Sequence, residues 1–427
     1  YFETFILKSL MSLNWNLEPP SPSEFADREI QLTGTHLSGK RVALMITGSI
    51  AAYRMPDLIR DFRREGADVV VYATAGGLRY VAKEALEWCS QNPVIDHFTA
   101  DAEHLSDSTP FDVFVVAPAS YNTLNKVALG VADSVVSAAI AAALGRMERQ
   151  GIPILFAPTM HGAMHNSILT GSLKTLREMG ATLIPPLQAN GKNNLSSLDL
   201  IVAATIRSLS QSPLSGKSLL ITGGPTPVPI DNIRRITTRF TGALSIQIAR
   251  EAWLRGVNVE LILGKGSQPS PEYLNAKKAA TYADYKKIVH ESLTKKAFDW
   301  GIFTAAVADF KPETVFEGKI SSKVKHLNLK LLPTVKLIDE VRKKFPELKM
   351  ITFKYEENIS HDELLAIAQK RFSKKGGSQL IVANRREEFK PDGTQVAWLL
   401  DPAQEPQMYV GKDAIANAIL DRIELGS

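Results

Sequence analysis

The chain has 427 residues, 44% of them hydrophobic, with 50 Lys and Arg against 45 Asp and Glu and a formal net charge of +5. That length suffices for two or three packed domains, and basic residues spread along it without a clustered stripe argue against a nucleic-acid partner. No stretch reaches the roughly eighteen apolar residues of a spanning helix, so no membrane is expected. The single cysteine, Cys89, excludes an intrachain disulfide and points to a reducing compartment, the cytoplasm.

Residues 1–39 read as a lead-in. Phe2–Leu13 is moderately apolar without a basic leader or a small-residue cleavage site, so no secretory signal is expected. Pro19, Pro20 and Pro22, followed by charged positions, read as an extended segment. From 40 to 209 the runs Val42–Thr47, Asp68–Ala73, Asp112–Ala117 and Ile152–Ala157 have the Val, Ile, Leu and Phe density of strands buried on both faces. Between the first two, Ala51, Met55, Leu58, Ile59 and Phe62 recur at helical spacing and Gly66 supplies the stop, which makes a βαβ unit with a helix over Ala51–Arg64. Gly48-Ser49-Ile50, at the turn from strand to helix, is placed to hold a phosphate on backbone N–H groups.

Residues 210–216, rich in Ser, Pro and Gly, read as a linker. The second module, 217–427, again opens with a strand (Ser218–Thr222), a glycine turn (Gly223-Gly224-Pro225) and a helix near Gly242–Trp253. Further strands are expected at Asn258–Leu263, Trp300–Thr304, Met350–Lys354, Gln379–Val382 and Val396–Asp401, and helices at His361–Phe372 and Lys412–Ile423. Lys323–Leu332 alternates, with Leu327, Leu329 and Leu331 on one face, and reads as a half-exposed strand or hairpin arm. The fold class is α/β, two nucleotide-binding modules in series.

In order and spacing, Gly48–Arg54, Ala117–Thr123, Gly130–Ser134, Ala157–Met160, Thr222–Thr226, Ile230-Asp231, Thr241-Gly242, Ala305–Asp309, Lys319–Ser322 and Ile381–Asn384 resemble the bifunctional phosphopantothenoylcysteine decarboxylase and phosphopantothenate–cysteine ligase family of coenzyme A biosynthesis. The resemblance spans roughly Gly39 to Ile423. It implies a flavodoxin-like, FMN-binding decarboxylase domain followed by a Rossmann-like ligase domain, and 4'-phosphopantothenate and cysteine as substrates. In the first, Gly48, Ser49 and Ile50 would hold the flavin phosphate, Thr74 would end the next strand, and Ala119, Ser120, Asn122 and Met160 would border phosphate or isoalloxazine. His104 matches the family's basic histidine, with Asp101, Glu103 and Asp107 beside it to bias its protonation.

In the second, Gly223 and Gly224 would approach a phosphate, Asp309, Phe353, Arg371 and Lys375 would contact the nucleotide, and Lys319 would be the chief catalytic cation. CTP is the implied nucleotide, Mg2+ comes with its triphosphate, and no metal-ligand spacing identifies protein ligands. Trimers through the first domain and dimers through the second are the implied homo-oligomers.

Three positions depart from the family pattern. His161 stands where an asparagine grips the substrate carboxylate, followed by His165; Asn190 stands where a mobile flap carries a cysteine; Thr238 replaces the asparagine that stabilises the acyl-cytidylate. Imidazole and hydroxyl still donate hydrogen bonds, whereas an amide does no thiol chemistry. Arg234 and Arg239 are candidates to compensate for the lost amide at 238. These departures leave three readings open: the family's two reactions, a divergent flavoprotein acting on another thiol substrate, or a non-catalytic sensor or scaffold that binds FMN and nucleotide.

Overall fold

The computed structural model describes residues 16–105, 109–323, 325–372 and 377–426. Lys375, Asp107 and Phe2–Leu13 therefore lie outside the described residues. The first half is built on a five-stranded parallel sheet of β1 (Arg41–Ile46), β2 (Asp68–Ala73), β3 (Val113–Ala119), β4 (Ile154–Pro158) and, after the short β5 (Met160–His161), β6 (Thr182–Leu183). Their order is β2-β1-β3-β4-β6, the flavodoxin-like winding.

Helices α1 (Met55–Arg64) and α2 (Lys83–Ser90) cover one face of this sheet, and α3 (Tyr121–Ala128), α4 (Val135–Gln150) and α5 (Ser167–Glu178) the other. Two apolar faces explain the continuous Val, Leu and Ile runs. The winding direction reverses between β1 and β3, which opens a crevice at their carboxyl ends. A separate hairpin of β7 (Leu187–Ala189) and β8 (Lys192–Asn194) pairs with β5, and α6 (Leu198–Ser208) closes this half.

The second half carries an eight-stranded sheet. It opens with β9 (Ser218–Gly223), continues through the short β10 (Pro225–Thr226), β11 (Val228–Pro229) and β12 (Arg235–Ile236), then α7 (Ala243–Leu254), β13 (Asn258–Gly264), β14 (Lys277–Ala279), α8 (Tyr282–Lys295) and β15 (Trp300–Phe303). After β16 (Ala306–Val307), β17 (Phe310–Pro312) and β18 (Leu331–Pro333) come α9 (Leu337–Lys344), β19 (Lys349–Glu356), α10 (His361–Gln369), β20 (Leu380–Arg385), β21 (Val396–Asp401), β22 (Gln404–Val410) and α11 (Lys412–Leu425). The order is β14-β13-β9-β15-β19-β20-β21-β22, with every pairing parallel except the last two, β20 with β21 and β21 with β22. Its reversal point lies between β9 and β15.

Three sequence expectations need correction. The Ala51–Arg64 helix begins as a 3-10 turn at Ile50–Arg54 and becomes α-helical at Met55, where Pro56 enters in the first turn and needs no N–H partner. The arm expected over Lys323–Leu332 pairs only at its end, Leu331 and Leu332 against Pro312 and Lys311, and Leu327 and Leu331 are both exposed. Alternation gave it no buried face because little packs over it. The lead-in is also more than an extension: Leu37 is fully buried in the first core, where a Leu contributes about 1.5–3 kcal/mol.

The lead-in also joins the halves. His36 donates from Nδ1 to Glu65 at 2.7 Å and from Nε2 to Glu251, on α7, at 2.9 Å. Nearby, the Arg207 guanidinium at the end of α6 donates to the carbonyls of Trp253, Val257 and Gly256. One cation thereby satisfies orphan carbonyls at the carboxyl end of the other half's helix.

Candidate functional site

Two crevices lie where the sheets reverse direction, one in each half. In the first, Thr47 follows β1 and is fully buried; its hydroxyl donates to Pro118 O at 2.6 Å and accepts from Ser120 N–H at 3.0 Å. This side chain, which the sequence reading did not single out, binds the Gly48-Ser49-Ile50 turn to Ala119 and Ser120. A small hydroxyl between two strand runs was the available signal. Ser49 caps the 3-10 turn by accepting from Ala51 N–H, and Ile50 beside it is 67% exposed. A Cβ on Gly48 would meet only the backbone of Gly76, at 3.5 Å. Thr74 steadies that neighbouring loop by accepting from Gly77 N–H at 3.1 Å.

Ala119 is completely buried at the end of β3. Ser120 caps α3, and Asn122 is exposed in its first turn. Thr159 N–H donates to Ala119 O, which brings the β4–β5 connection, and hence Met160 and His161, to the same edge. Gly48, Ser49, Ile50, Thr74, Ala119, Ser120, Asn122, Met160 and His161 thus share one crevice mouth.

The departures in this half are locally satisfied. His161 Nδ1 accepts from Ala163 N–H at 3.2 Å, so the neutral ring carries its proton on Nε2. His165 Nδ1 accepts from the buried Asn193 amide at 2.8 Å. Asn190 and Gly191 have φ of 51° and 66° and join β7 to β8, the geometry of a two-residue type I′ turn. Met160 pairs with Asn193 across β5 and β8, which sets this hairpin beside the crevice. Cys89 is buried in α2 with its thiol pushed up by burial, and it is not a substitute at the hairpin.

His104 is placed differently. Its ring stacks on Phe98 at 3.9 Å, and its carbonyl accepts from Arg146 in the last turns of α4. Helix α4 precedes β4, so that contact lies toward the strand starts and not at the phosphate turn of the same chain. The Nδ1 atom is buried without a protein partner among the described residues. The Thr99 hydroxyl and N–H hold the Glu103 carboxylate, which also interacts electrostatically with His104.

In the second crevice, Gly223 and Gly224 end β9, and segment 304–309 lies beside them. Thr304 donates to Thr222 O, Ala306 N–H to Gly224 O and Ala308 N–H to Thr226 Oγ1, while Thr334 donates to Ala308 O. Asp309 is held at the rim and exposed. A Cβ on Gly223 would fall 1.7 Å from Ser245 Oγ, and one on Gly224 1.8 Å from Ser267 Oγ, so protein atoms already fill the space beside these glycines. Thr238 Oγ1 is buried without a protein partner among the described residues. Arg234 is not free to compensate for the missing amide, since its guanidinium pairs with Asp231 at 2.6 Å; Arg239 is exposed.

Arg371 donates to Phe353 O at 3.0 Å, which brings these two predicted residues together. Arg371 also lines a cavity of about 570 Å³ with Lys336, Asp339, Arg342, Thr352 and Ser378. Burial lowers the pKa of both Arg371 and Arg342. The sequence reading missed Lys336 and Arg342, which stand in a basic run that looks like a solvated helix face. Lys319 is exposed on the segment before β18. Another opening, about 660 Å³ between Phe25, Ile30, Leu32, Arg63 and Asn92, touches none of the predicted residues. Among the described residues no group of three or more His, Cys, Asp or Glu side chains is arranged to hold a metal ion, and no helix is long and apolar enough to cross a membrane.

Comparison with known proteins agrees with this two-part layout. Residues 30–210 match the Flavoprotein family, and residues 214–425 match the DNA/pantothenate metabolism flavoprotein C-terminal domain. The coenzyme A biosynthesis bifunctional protein CoaBC of Thermococcus kodakarensis is 32% identical over 91% of this chain and 96% of its own length. The protein of that name from Methanocaldococcus jannaschii is 28% identical over 91% and 94%. A solved structure, the DNA/pantothenate metabolism flavoprotein from Streptococcus pneumoniae, is 26% identical with a TM-score of 0.44 over 49% of this chain and 99% of that one. The end-to-end match to the Thermococcus protein places this chain in the CoaBC family of bifunctional coenzyme A biosynthesis enzymes.

Proposed function

We propose that the second half joins 4'-phosphopantothenate to cysteine using CTP, and that the first half decarboxylates the cysteinyl product using FMN. One observation supports this above the others: His104 Nδ1 in the first half and Thr238 Oγ1 in the second are buried hydrogen-bonding atoms without a protein partner among the described residues. Such an atom costs about 1–3 kcal/mol unless something supplies the missing bond. Both residues occupy positions that the resemblance marks as catalytic.

In the first half the Gly48-Ser49-Ile50 turn, where a Cβ on Gly48 would meet nothing nearer than the Gly76 backbone at 3.5 Å and a helical turn begins, suits a phosphate, so the residues present fit FMN. Met160, Ser120 and Asn122 border the flavin, and Thr74 and Thr47 keep the loops in place. FMN, when bound, takes electrons from the cysteinyl group so that carbon dioxide can leave, and later returns them. His161 offers Nε2–H to the substrate carboxylate, and His104, which lies away from its own chain's phosphate turn, serves as the acid–base group at the thiol held in the crevice of another copy of the homo-oligomer.

In the second half Lys319 and Arg371 offset charge on the phosphates while the carboxylate of phosphopantothenate attacks the α-phosphorus of CTP and displaces pyrophosphate, giving the acyl-cytidylate. Asp309 and Phe353 border the nucleotide, Thr238 donates to the acyl-cytidylate, and Lys375 adds a third cation. Mg2+ accompanies the triphosphate. Cysteine then attacks and CMP leaves. We place the enzyme in the cytoplasm as a homo-oligomer, with trimeric contacts in the first half and dimeric ones in the second.

A second reading rests on the hairpin. Asn190 occupies a tight turn and offers no thiol, which favours a flavin half that works on another thiol substrate or stops after oxidative decarboxylation. The test is anaerobic, with purified protein given phosphopantothenoylcysteine in one reaction and phosphopantothenate, cysteine, Mg2+ and CTP in another. Carbon dioxide in the first and phosphopantothenoylcysteine in the second are expected. A flavin-loaded protein that forms neither product contradicts both assignments, the ligation product alone favours a flavin half that works on another thiol substrate, and carbon dioxide with flavin left reduced favours one that stops after oxidative decarboxylation.

A further inference from the structure

Asp231 is a charged residue buried in the second half, yet no catalytic step above uses it. It sits in the turn joining β11 to β12. Its Oδ1 accepts from Ile233 N–H at 2.8 Å and Arg234 N–H at 2.5 Å. Its Oδ2 accepts from the Arg234 guanidinium at 2.6 Å and, across 89 residues of sequence, from Ile320 N–H at 3.0 Å. Arg234 also donates to Ile320 O at 3.2 Å, Asn232 N–H donates to Gly318 O, and Phe316 N–H to Ile230 O. Both chain neighbours of Lys319 are therefore pinned to one turn, while Lys319 itself projects exposed from between them.

A buried carboxylate is stable only when donors surround it, and here they do. Burial alone would raise its pKa, but the backbone N–H groups of Arg234, Ile320 and Ile233 and the Arg234 guanidinium bring it down to about 2. The group stays ionised at working pH and neutralises Arg234. That leaves Lys319, like the exposed Arg235, without an ion pair among the described residues.

We propose that Asp231 is a positioning residue for ligation, whose carboxylate ties the β11–β12 turn to residues 318–320 and so fixes where the Lys319 ammonium meets the substrate phosphates. The inference rests on the ligation reading of the second half. It assigns Asp231 no contact with substrate. Its effect on rate passes entirely through Lys319, because placement within a fraction of an ångström governs how much a cation stabilises developing charge.

A double-mutant cycle on the full-length chain tests this, with pyrophosphate release from CTP as the assay and Asp231→Asn, Lys319→Met and the double variant compared. Asparagine keeps the shape but turns an N–H donor toward Ile320 N–H and the guanidinium. Asp231→Asn is expected to lower kcat/KM by about 30-fold or more, and the double variant should match Lys319→Met within about threefold, because the two losses share one path. The Ile320 amide should also exchange its hydrogen about tenfold faster in Asp231→Asn, with flavin content unchanged. Losses that multiply, an Asp231→Asn variant within threefold of the parent, or unchanged Ile320 exchange each overturn the proposal. A parent chain that releases no pyrophosphate overturns the ligation reading first, and this proposal with it.

Discussion

The two glycine turns look alike in sequence and differ in cause. Gly48 follows β1 with its Cβ position in ordinary contact with the Gly76 backbone, at 3.5 Å, so packing does not demand a glycine there. Gly223 and Gly224 follow β9 pressed against Ser245 and Ser267, where any side chain would collide. At the first glycine the packing leaves the role proposed for it, close approach of a phosphate, as the reason for a glycine, whereas the second pair lets the strand pass close to its helix and loop. A shared strand, glycine turn and helix therefore does not imply a shared phosphate site, and in the function proposed above the ligand-facing chemistry of the second half falls to Lys319, Arg371 and Thr238.

Four perturbations separate these roles, from the largest expected effect to the smallest. Gly223→Ala drives a methyl group into Ser245 and should destabilise the second half by about 1–3 kcal/mol or more, with a melting point lower by about 3–10 °C and flavin content unchanged. Thr238→Val keeps the shape and removes the unpartnered hydroxyl; ligation should slow about 10–100-fold with no change in melting. Gly48→Ala should weaken FMN binding about tenfold while the flavin-free protein melts as the parent does. If Gly48→Ala instead unfolded the protein and Gly223→Ala left it intact, the contrast between the turns would be reversed.

The smallest effect concerns the junction of the halves. Hydrogen bonds to Glu251 and Glu65 raise His36 from 6.5 to about 9 against the cost of burial. Arg250 pairs with both carboxylates, and Asp199 nearby has its own pKa raised by burial. Because the folded value lies above the unfolded one, the stabilisation is complete below pH 6.5 and fades as the pH rises through about 9. After discounting for partial exposure it amounts to about 1–2 kcal/mol. Chemical denaturation across that window should show the decline in the parent and a flatter profile in His36→Gln.

The strands of both sheets were legible because each buried run is dense in branched apolar residues, and Asp68–Ala73 and Val396–Asp401 coincide with β2 and β21. The arm before β18 was not, since its alternating leucines meet solvent. Within the site, the Gly48 turn and the neighbourhood of Phe353 and Arg371 followed from motif order. Thr47, Lys336 and Arg342 did not, because their roles depend on partners far away in sequence. Asn190-Gly191 was readable in hindsight as a hairpin turn, a strong local signal that the family's flap cysteine obscured.

The departures divide along the same line as the glycines. In the first half His161 and Asn190 are absorbed by a backbone cap and a turn, while in the second the Thr238 hydroxyl has no partner among the described residues. The central claim is that both halves nevertheless act in succession on one substrate. Its most direct test supplies the full-length, flavin-loaded chain anaerobically with phosphopantothenate, CTP, Mg2+ and cysteine labelled at its carboxyl carbon, and measures labelled carbon dioxide. Release of label that depends on both CTP and phosphopantothenate is the expected result; ligated product that accumulates with its label intact would contradict the claim.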